Sequence, residues 1–218
     1  MQHEPIYIFD FDSTIINCES LEELARFTLA NSPEQQTIVA KLEVITTAGM
    51  AGTITFDESL RKRLQLFQAT KNDVLKLTDY LQSCVTPSLL TYLDWLTQHK
   101  NHIYVISGGF EEYIKPIATA IGLLPSHVYA NSFTYNAAGR ITGYDATRLT
   151  SKARGKVAQV RALALPHPRI VIGDGYTDYE IKAAGEAEEF WAFTEHAHRP
   201  TATEHADRLL RSFADLPV

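Results

Sequence analysis

Residues 6–14 read Ile-Tyr-Ile-Phe-Asp-Phe-Asp-Ser-Thr, and this stretch decides the fold that we predict. Its first four residues form an apolar run, which is typical of a strand buried on both faces of a parallel sheet. Asp10 and Asp12 follow two residues apart, so with the period of a strand both carboxylates face the same way. Two such anions at a sheet end require a cation or a retained proton. Taken alone, the stretch also fits an ordinary Asx or Ser/Thr turn.

Two further apolar runs, residues 102–106 and 169–172, have the same character, and a segment with helical periodicity follows each of them. Strand, loop and helix repeated in this way predict an α/β fold with a doubly wound, mostly parallel sheet. Ligands of such sheets bind at the carboxyl ends of the strands. Residues 128–133 and 140–144 flank Asn-Ala-Ala-Gly and predict a β-hairpin. We also predict one core helix that starts near Pro87 and carries Leu89, Leu93 and Leu96.

The segment between the first two strands has a different pattern. Residues 19–84 contain several helical periodicities and no convincing strand, including Leu60, Leu64 and Phe67 at helical spacing. We therefore predict an α-helical cap at residues 19–84, inserted into a core domain formed by residues 1–18 and 85–218.

Length and charge limit the class of partner. The chain has 218 residues, of which 20 are Lys or Arg and 26 are Asp or Glu, giving a net charge of −6. No run of basic residues exceeds Arg61-Lys62-Arg63, so we expect a small solute and no nucleic acid as partner. No apolar stretch approaches the roughly 18 residues of a membrane span.

Two distant cysteines, Cys18 and Cys84, and an amino terminus without the features of a signal peptide predict a reduced, cytoplasmic protein. The oligomeric state stays open.

The second and third strands also end in residues suited to phosphate chemistry. Ser107-Gly108-Gly109 precedes a helix and suits a phosphate seat, because glycine lets the backbone approach an anion and a helix start offers unpaired N–H groups. By itself this motif fits a tight turn equally well. Asp174 and Asp178 follow the third strand and add two carboxylates to the same edge of the sheet. Four aspartates at one edge predict a Mg²⁺ site, since this ion prefers carboxylates, water and substrate oxygens.

Two other groups of residues are candidates for the site. Residues 151–156, Ser-Lys-Ala-Arg-Gly-Lys, supply cations at the start of a helix, and a lysine there can hold a nucleophilic aspartate and a phosphate oxygen. The alternative is a solvated helix start. His196 and His198 lie in polar, alanine-rich surroundings, which favour an exposed segment over a metal site.

In their order along the chain, these segments resemble the motifs of the haloacid dehalogenase superfamily of phosphatases. The motifs are DxDx(T/V) at residues 10–14, a serine at a strand end, a basic residue and GDxxxD at residues 173–178. Glu19, Gly-Met-Ala-Gly at 49–52, and Phe56 followed by Ser-Leu-Arg-Lys-Arg at 59–63 are similar to the phosphoserine phosphatase subfamily. The resemblance covers nearly the whole chain and implies a Rossmann-like core with a cap that sets substrate specificity.

The resemblance implies a Mg²⁺-dependent phosphomonoester hydrolase that forms an aspartyl-phosphate, with O-phospho-L-serine as the expected substrate and serine biosynthesis as its setting. Asp10 is the expected nucleophile and Asp12 the expected general acid and base. The remaining expected roles are phosphate binding by Ser107, Gly108, Gly109 and Arg154, substrate binding by Glu19, Met50, Phe56, Arg63 and Thr177, and Mg²⁺ binding by Asp10, Asp12, Asp174 and Asp178.

The basic segment departs from the family pattern, because Arg154 stands where the family's essential lysine is usual. Lys152 and Lys156 lie two residues to either side, and the position of Lys156 at the helix start favours it as the catalytic lysine. Two alternatives to this function stay open. In the first, the chain acts on another small phosphorylated amine or alcohol as a phosphatase or phosphotransferase. In the second, it binds a phosphorylated metabolite without turnover.

Overall fold

A computed structural model describes residues 4–217 of the chain. Within this range the strands are β1 (Ile6–Phe9), β2 (Ile103–Phe110), β3 (Val128–Asn131), β4 (Phe133–Tyr135), β5 (Ile141–Tyr144), β6 (Arg169–Gly173), β7 (Glu189–Phe193) and β8 (Arg208–Leu210). The helices are α1 (Ser20–Thr28), α2 (Gln35–Met50), α3 (Phe56–Leu64), α4 (Lys71–Gln82), α5 (Pro87–Leu90), α6 (Leu93–His99), α7 (Glu111–Ala120), α8 (Gly155–Leu163), α9 (Tyr176–Ala183) and α10 (Pro200–Thr203).

The central sheet has six strands in the order β3-β2-β1-β6-β7-β8, and all of its neighbouring strands pair in parallel. β1 lies between β2 and β6, so the chain winds outward from it in both directions. At such a switch in strand order, the loops at the carboxyl ends separate and leave a crevice for a ligand. The predicted doubly wound α/β fold is confirmed.

Burial on both faces of the sheet explains why β1 is a continuous apolar run. Ile6 and Ile8 pack into the apolar cluster under α8 and α9, whereas Tyr7 and Phe9 pack into the larger cluster on the opposite face. Because side chains alternate along a strand, a strand with both faces covered needs apolar residues at every position.

Helices α1 to α4 lie between β1 and β2 in the chain, in agreement with the helical cap expected there. α1 packs against α2 and α4, α2 packs against α3, and α4 also packs against the core helix α7. The start of α4 is well defined, since Thr70 and Asp73 form a reciprocal capping box. The boundaries at residues 18/19 and 84/85 stay predictions.

Three details differ from the sequence-based expectation. Residues 128–131 form an edge strand of the main sheet and pair in parallel with β2, whereas the hairpin itself is β4 and β5. The reason is that a short strand at the edge of a sheet has the same sequence pattern as a hairpin arm. The predicted helix at Leu89, Leu93 and Leu96 is broken into α5 and α6. β7 and β8, which extend the sheet, were not predicted.

Two findings concern the expected surroundings of the protein. Over residues 4–217, no helix combines the length and the apolar character needed to cross a bilayer. Cys18 and Cys84 are both free thiols.

Candidate active site

The candidate site lies at the carboxyl ends of β1, β2 and β6, where the strand order predicts a crevice. A small cavity there has a volume of about 20 Å³. Its lining combines residues of the core loops with residues of the cap: Asp10, Asp12, Glu19, Leu21, Met50, Phe56, Arg63, Ser107, Gly108, Gly109, Lys156 and Thr177. The fold thus brings residues from five separate segments of the sequence to one cavity.

Three buried aspartates form the floor of the site. One carboxylate oxygen each of Asp10, Asp174 and Asp178 lies within 4.8 Å of the others. Burial raises the pKa of Asp174 to about 7 and that of Asp178 to about 8, and the neighbouring Asp10 carboxylate adds to both shifts. The Oδ1 atom of Asp174 is buried and has no hydrogen-bond partner among the described residues.

Lys156 neutralises part of this charge. Its Nζ lies 2.8 Å from Asp10 Oδ1 and donates to Asp178 Oδ1 at 2.7 Å. Burial by itself would lower the pKa of Lys156, but the Asp10 and Asp178 carboxylates raise it, and the net shift is upward. The ammonium group is therefore charged and lies between the expected nucleophile and the third aspartate.

Backbone contacts fix the expected nucleophile. The N–H of Asp10 donates to Ile172 O at 2.9 Å, which ties the end of β1 to β6. The N–H of Phe11 donates to Asp10 Oδ1 at 2.7 Å, so this N–H and Lys156 both engage Oδ1. The second oxygen, Oδ2, receives no hydrogen bond from the described residues and is the atom suited to attack.

Asp12 lines the cavity beside the acidic floor but lies outside the group of three aspartates. Its Oδ1 accepts a hydrogen bond from the N–H of Ser20 at 3.0 Å. Burial raises the pKa of Asp12 well above its usual value, and the Glu19 and Asp10 carboxylates raise it further. These surroundings favour a protonated carboxyl group, which is the state that a general acid needs.

The expected phosphate seat is part of β2 and its exit. Ser107 is buried, and its Oγ accepts a hydrogen bond from the N–H of Gly109 at 2.9 Å. A Cβ at Gly108 would lie 2.5 Å from two ring atoms of Phe56, so the cap side chain packs directly on the glycine backbone. A side chain at position 108 would therefore require the Phe56 ring to shift.

The cap contributes two charged residues of opposite sign to the wall. Glu19 Oε1 accepts a hydrogen bond from Ser13 Oγ at 2.8 Å. Arg63 is buried, and its Nη1 lies 3.4 Å from Thr46 Oγ1, while its Nε has no hydrogen-bond partner among the described residues. Thr46 Oγ1 in turn donates to the buried carboxylate of Glu22. Sequence reasoning did not identify Thr46 or Glu22.

Arg154 takes a different position from the one expected of a phosphate ligand. It precedes α8 in a left-handed conformation with φ of 53°. Its side chain is 61% exposed, and its Nε lies 3.7 Å from Glu180 Oε1. Arg154 does not line the 20 Å³ cavity, whereas Lys156, the second residue of α8, does. The residue that departs from the family pattern therefore faces outward, and a lysine faces inward.

Arg199 is a site residue that sequence reasoning missed. Its Nε donates to Asp174 Oδ2 at 2.6 Å, and its Nη2 donates to Glu19 Oε1 at 2.9 Å. It lies immediately before α10, outside every recognised motif and 25 residues after Asp174 along the chain. An isolated arginine before a proline carries no pattern from which this contact can be predicted.

Comparison with known proteins agrees with this geometry. Residues 7–181 match the family described as haloacid dehalogenase-like hydrolase. The chain belongs to this family. The hydrolase is 31% identical over 211 residues to the chloroplastic phosphoserine phosphatase of Arabidopsis thaliana, covering 95% of this chain and 69% of that protein. It is 28% identical over 211 residues to human phosphoserine phosphatase, covering 95% of this chain and 89% of that protein.

Among solved structures, the hydrolase is similar to a phosphoserine phosphohydrolase-like protein from Francisella tularensis. The TM-score is 0.87 at 30% identity, and 97% of each chain is covered. Together with the named relatives, the match confirms the prediction of an enzyme with phosphatase activity.

The floor of the site fits the divalent cation that the resemblance implies for this hydrolase. Hard carboxylate oxygens from Asp10, Asp174 and Asp178 come together in a buried place, as Mg²⁺ prefers. The unpartnered Oδ1 of Asp174 is an unsatisfied acceptor that a cation would satisfy. Both oxygens of Asp178 already accept hydrogen bonds, from Lys156 Nζ and from the N–H of Gly175.

Proposed function

We propose that this hydrolase cleaves O-phospho-L-serine to serine and phosphate with Mg²⁺, through an aspartyl-phosphate on Asp10. The proposal rests on one observation, the composition of the 20 Å³ cavity. Its floor carries Asp10 and Lys156. Its wall carries an anionic side chain, Glu19, and a cationic one, Arg63. A substrate that has an ester phosphate, an ammonium group and a carboxylate matches all of these groups at once.

In the first step, Asp10 Oδ2 attacks phosphorus as the bond between phosphorus and the serine oxygen breaks. The Phe11 N–H and Lys156 both hold the other oxygen of Asp10, so they orient the nucleophile without occupying the attacking atom. Formation of a covalent intermediate divides one difficult hydrolysis into two easier steps.

Asp12 is the proton donor of this scheme. The raised pKa of its carboxyl group, caused first by burial, supports a proton at hand for the departing serine oxygen. Its ionised form then takes a proton from water, which attacks phosphorus and releases phosphate from Asp10. The same group thus donates a proton in the first step and accepts one in the second.

Asp10 and Asp174, with the backbone carbonyl of Asp12, would hold Mg²⁺, and Asp178 would orient Lys156 beside them. When bound, the ion supplies positive charge that neutralises the transferring phosphoryl oxygens. Ser107 and the N–H group of Gly108 would bind the same oxygens through hydrogen bonds, while the N–H of Gly109 holds Ser107 Oγ.

The cap would recognise the amino-acid end of the substrate. An ammonium group matches the Glu19 carboxylate, and a carboxylate matches the fork of N–H donors on Arg63. The unpartnered Nε of Arg63 supports this assignment, since a buried donor without a partner is unfavourable until a ligand accepts from it.

Substrate entry requires the cap to move. A cavity of about 20 Å³ holds about one water molecule and excludes an amino-acid phosphate. Phe56 packs on Gly108 and closes the site between cap and core. This packing of the cap on the core would shield the aspartyl-phosphate from bulk water.

The test measures phosphate released from O-phospho-L-serine by the purified protein with Mg²⁺, beside a panel of other phosphorylated amines and alcohols. We expect phosphoserine to have the highest kcat/KM, and we expect Asp10→Asn to remove turnover of every substrate. A higher kcat/KM on another phosphorylated amine would contradict the assignment of substrate. Phosphate transfer to an added alcohol instead of water would indicate a phosphotransferase, and tight binding without turnover would indicate a binding protein.

The expected cytoplasmic location and the absence of a nucleic-acid partner remain predictions.

A further inference from the structure

Arg199 connects two parts of the site that have different expected tasks. Its guanidinium group donates to Asp174 Oδ2 at 2.6 Å and to Glu19 Oε1 at 2.9 Å, and its side chain is only 18% exposed. Asp174 belongs to the acidic floor, and Glu19 belongs to the wall that faces the amino-acid end of the proposed substrate. One side chain therefore contacts both carboxylates.

The pattern of occupied oxygens shows what this contact does. Arg199 engages Oδ2 of Asp174 and leaves Oδ1 buried without a partner among the described residues. One carboxylate oxygen of Asp174 lies within 4.8 Å of an oxygen of Asp10 and of Asp178. On Glu19, both Arg199 and Ser13 donate to Oε1, so Oε2 receives no hydrogen bond from the described residues. In each acid, one oxygen is fixed and the other remains available to a ligand.

The segment that leads to Arg199 is held by hydrogen bonds to the core. Glu195 accepts a hydrogen bond from Ser88 Oγ, and His196 Nε2 lies 2.9 Å from Thr86 Oγ1. Thr86 Oγ1 also donates to Thr14 O at 2.6 Å, which ties this segment to the turn that follows Asp10. The imidazole of His196 is only 15% exposed, so the expectation of an exposed histidine segment does not hold at this residue. These contacts hold the backbone that leads to Arg199, and the two hydrogen bonds to Asp174 and Glu19 hold its guanidinium group.

We propose that Arg199 is a positioning residue that aims Asp174 Oδ1 at the divalent cation and Glu19 Oε2 at the substrate ammonium group. It acts through these two carboxylates and leaves the reacting atoms to other groups. The half of this inference that concerns Glu19 rests on the proposed function, whereas the half that concerns Asp174 requires only that the acidic floor binds a cation.

The geometry of arginine suits this task. A guanidinium group presents its N–H donors in a rigid plane and can hold two carboxylates in a fixed relation, whereas a lysine ammonium is a point charge on a flexible stem. Residues that orient a metal ligand typically change metal affinity by about 10- to 100-fold when they are removed. We therefore expect a geometric effect that charge alone does not replace.

The experiment uses Arg199→Met and Arg199→Lys, with Arg211→Met as a matched control at an exposed arginine. Isothermal titration of Mg²⁺ into substrate-free protein gives the cation Kd. Kinetics at saturating Mg²⁺ give KM for phosphoserine and for an aryl phosphate that has no ammonium group. Thermal unfolding in EDTA checks that each variant is folded, and Arg199→Lys keeps the test usable where Arg199→Met does not fold.

We expect the Mg²⁺ Kd to rise about tenfold or more in both Arg199 variants. We expect KM for phosphoserine to rise in the same variants while KM for the aryl phosphate changes by less than about threefold, and Arg211→Met to match the wild type on every measure. A wild-type Mg²⁺ Kd or a wild-type KM for phosphoserine in Arg199→Lys would overturn the proposal. If the wild-type protein does not hydrolyse phosphoserine, the proposed function fails, and the Mg²⁺ titration still decides whether Arg199 positions Asp174.

Discussion

The floor and the wall of the site differ in how their polar atoms are satisfied. On the floor, Asp10 accepts hydrogen bonds from a backbone N–H and from Lys156, and its own N–H is bonded to β6. On the wall, Arg63 has one long contact at 3.4 Å and an unpartnered Nε. The difference indicates that the strand ends preorganise the chemistry, whereas the cap leaves donors to be satisfied by the substrate. Changes on the floor should affect all substrates alike, and changes on the wall should affect substrates selectively.

The largest effect is expected for Lys156→Met. Loss of a preorganised charge beside the nucleophile should lower kcat/KM by roughly 10²- to 10³-fold, for phosphoserine and for an aryl phosphate equally. Steady-state kinetics with both substrates test this, and Lys152→Met, at an exposed lysine of the same segment, is the control. A fall in kcat/KM for phosphoserine alone would contradict the inference that residues of the floor act on all substrates alike.

Glu19→Gln should have a smaller and selective effect. A hydrogen bond between ions contributes about 1.5 to 3 kcal/mol, so its loss should raise KM for phosphoserine by roughly 10- to 100-fold. KM for an aryl phosphate should stay close to the wild-type value. The control is Glu23→Gln, because Glu23 lies one turn along α1 and pairs with Arg26 outside the cavity. Equal rises in KM for both substrates would contradict recognition of the ammonium group.

The buried aspartates of the floor predict a pH dependence of stability in protein without divalent cations. Burial raises the pKa of Asp174 to about 7 and that of Asp178 to about 8, so the folded state keeps protons that the unfolded chain has released. The free energy of unfolding should therefore fall as pH rises from about 5 to about 8. Urea unfolding in EDTA across this range measures the fall.

Mg²⁺ should stabilise the protein most at the upper end of this pH range, where the carboxylates of the floor are ionised. If the free energy of unfolding in EDTA instead rises steadily with pH, burial is not the dominant cause of the pKa shifts of Asp174 and Asp178.

Arg154→Ala should have the smallest effect. The Arg154 side chain is exposed and its contact with Glu180 is 3.7 Å long, and such surface pairs contribute little. We expect kcat/KM for phosphoserine to change by less than about twofold. A fall in kcat/KM comparable to that of Lys156→Met would indicate that Arg154 binds the phosphate group. The loop before α8 would then have to rearrange when substrate binds.

Local sequence determined the elements that form the floor. The apolar run of β1 and the acidic loops after β1 and β6 are each short and continuous, and parallel strands must bring their carboxyl ends to one edge. The approach of Asp10 to Asp174 therefore follows from pattern and topology. By contrast, the sequence pattern predicts a hairpin arm at residues 128–131, where the structure has an edge strand, because a strand pattern alone does not show which strand will be the neighbour.

The tertiary structure alone decided which basic residue faces the nucleophile and which distant arginine joins the site. Arg154 and Lys156 are two residues apart, and the left-handed turn at Arg154 together with the start of α8 directs one outward and the other inward. Arg199 reaches Glu19 across 180 residues of sequence. The physical reason is that periodicity records contacts within an element and burial of its faces, whereas an ion pair between loops depends on where the whole chain brings them.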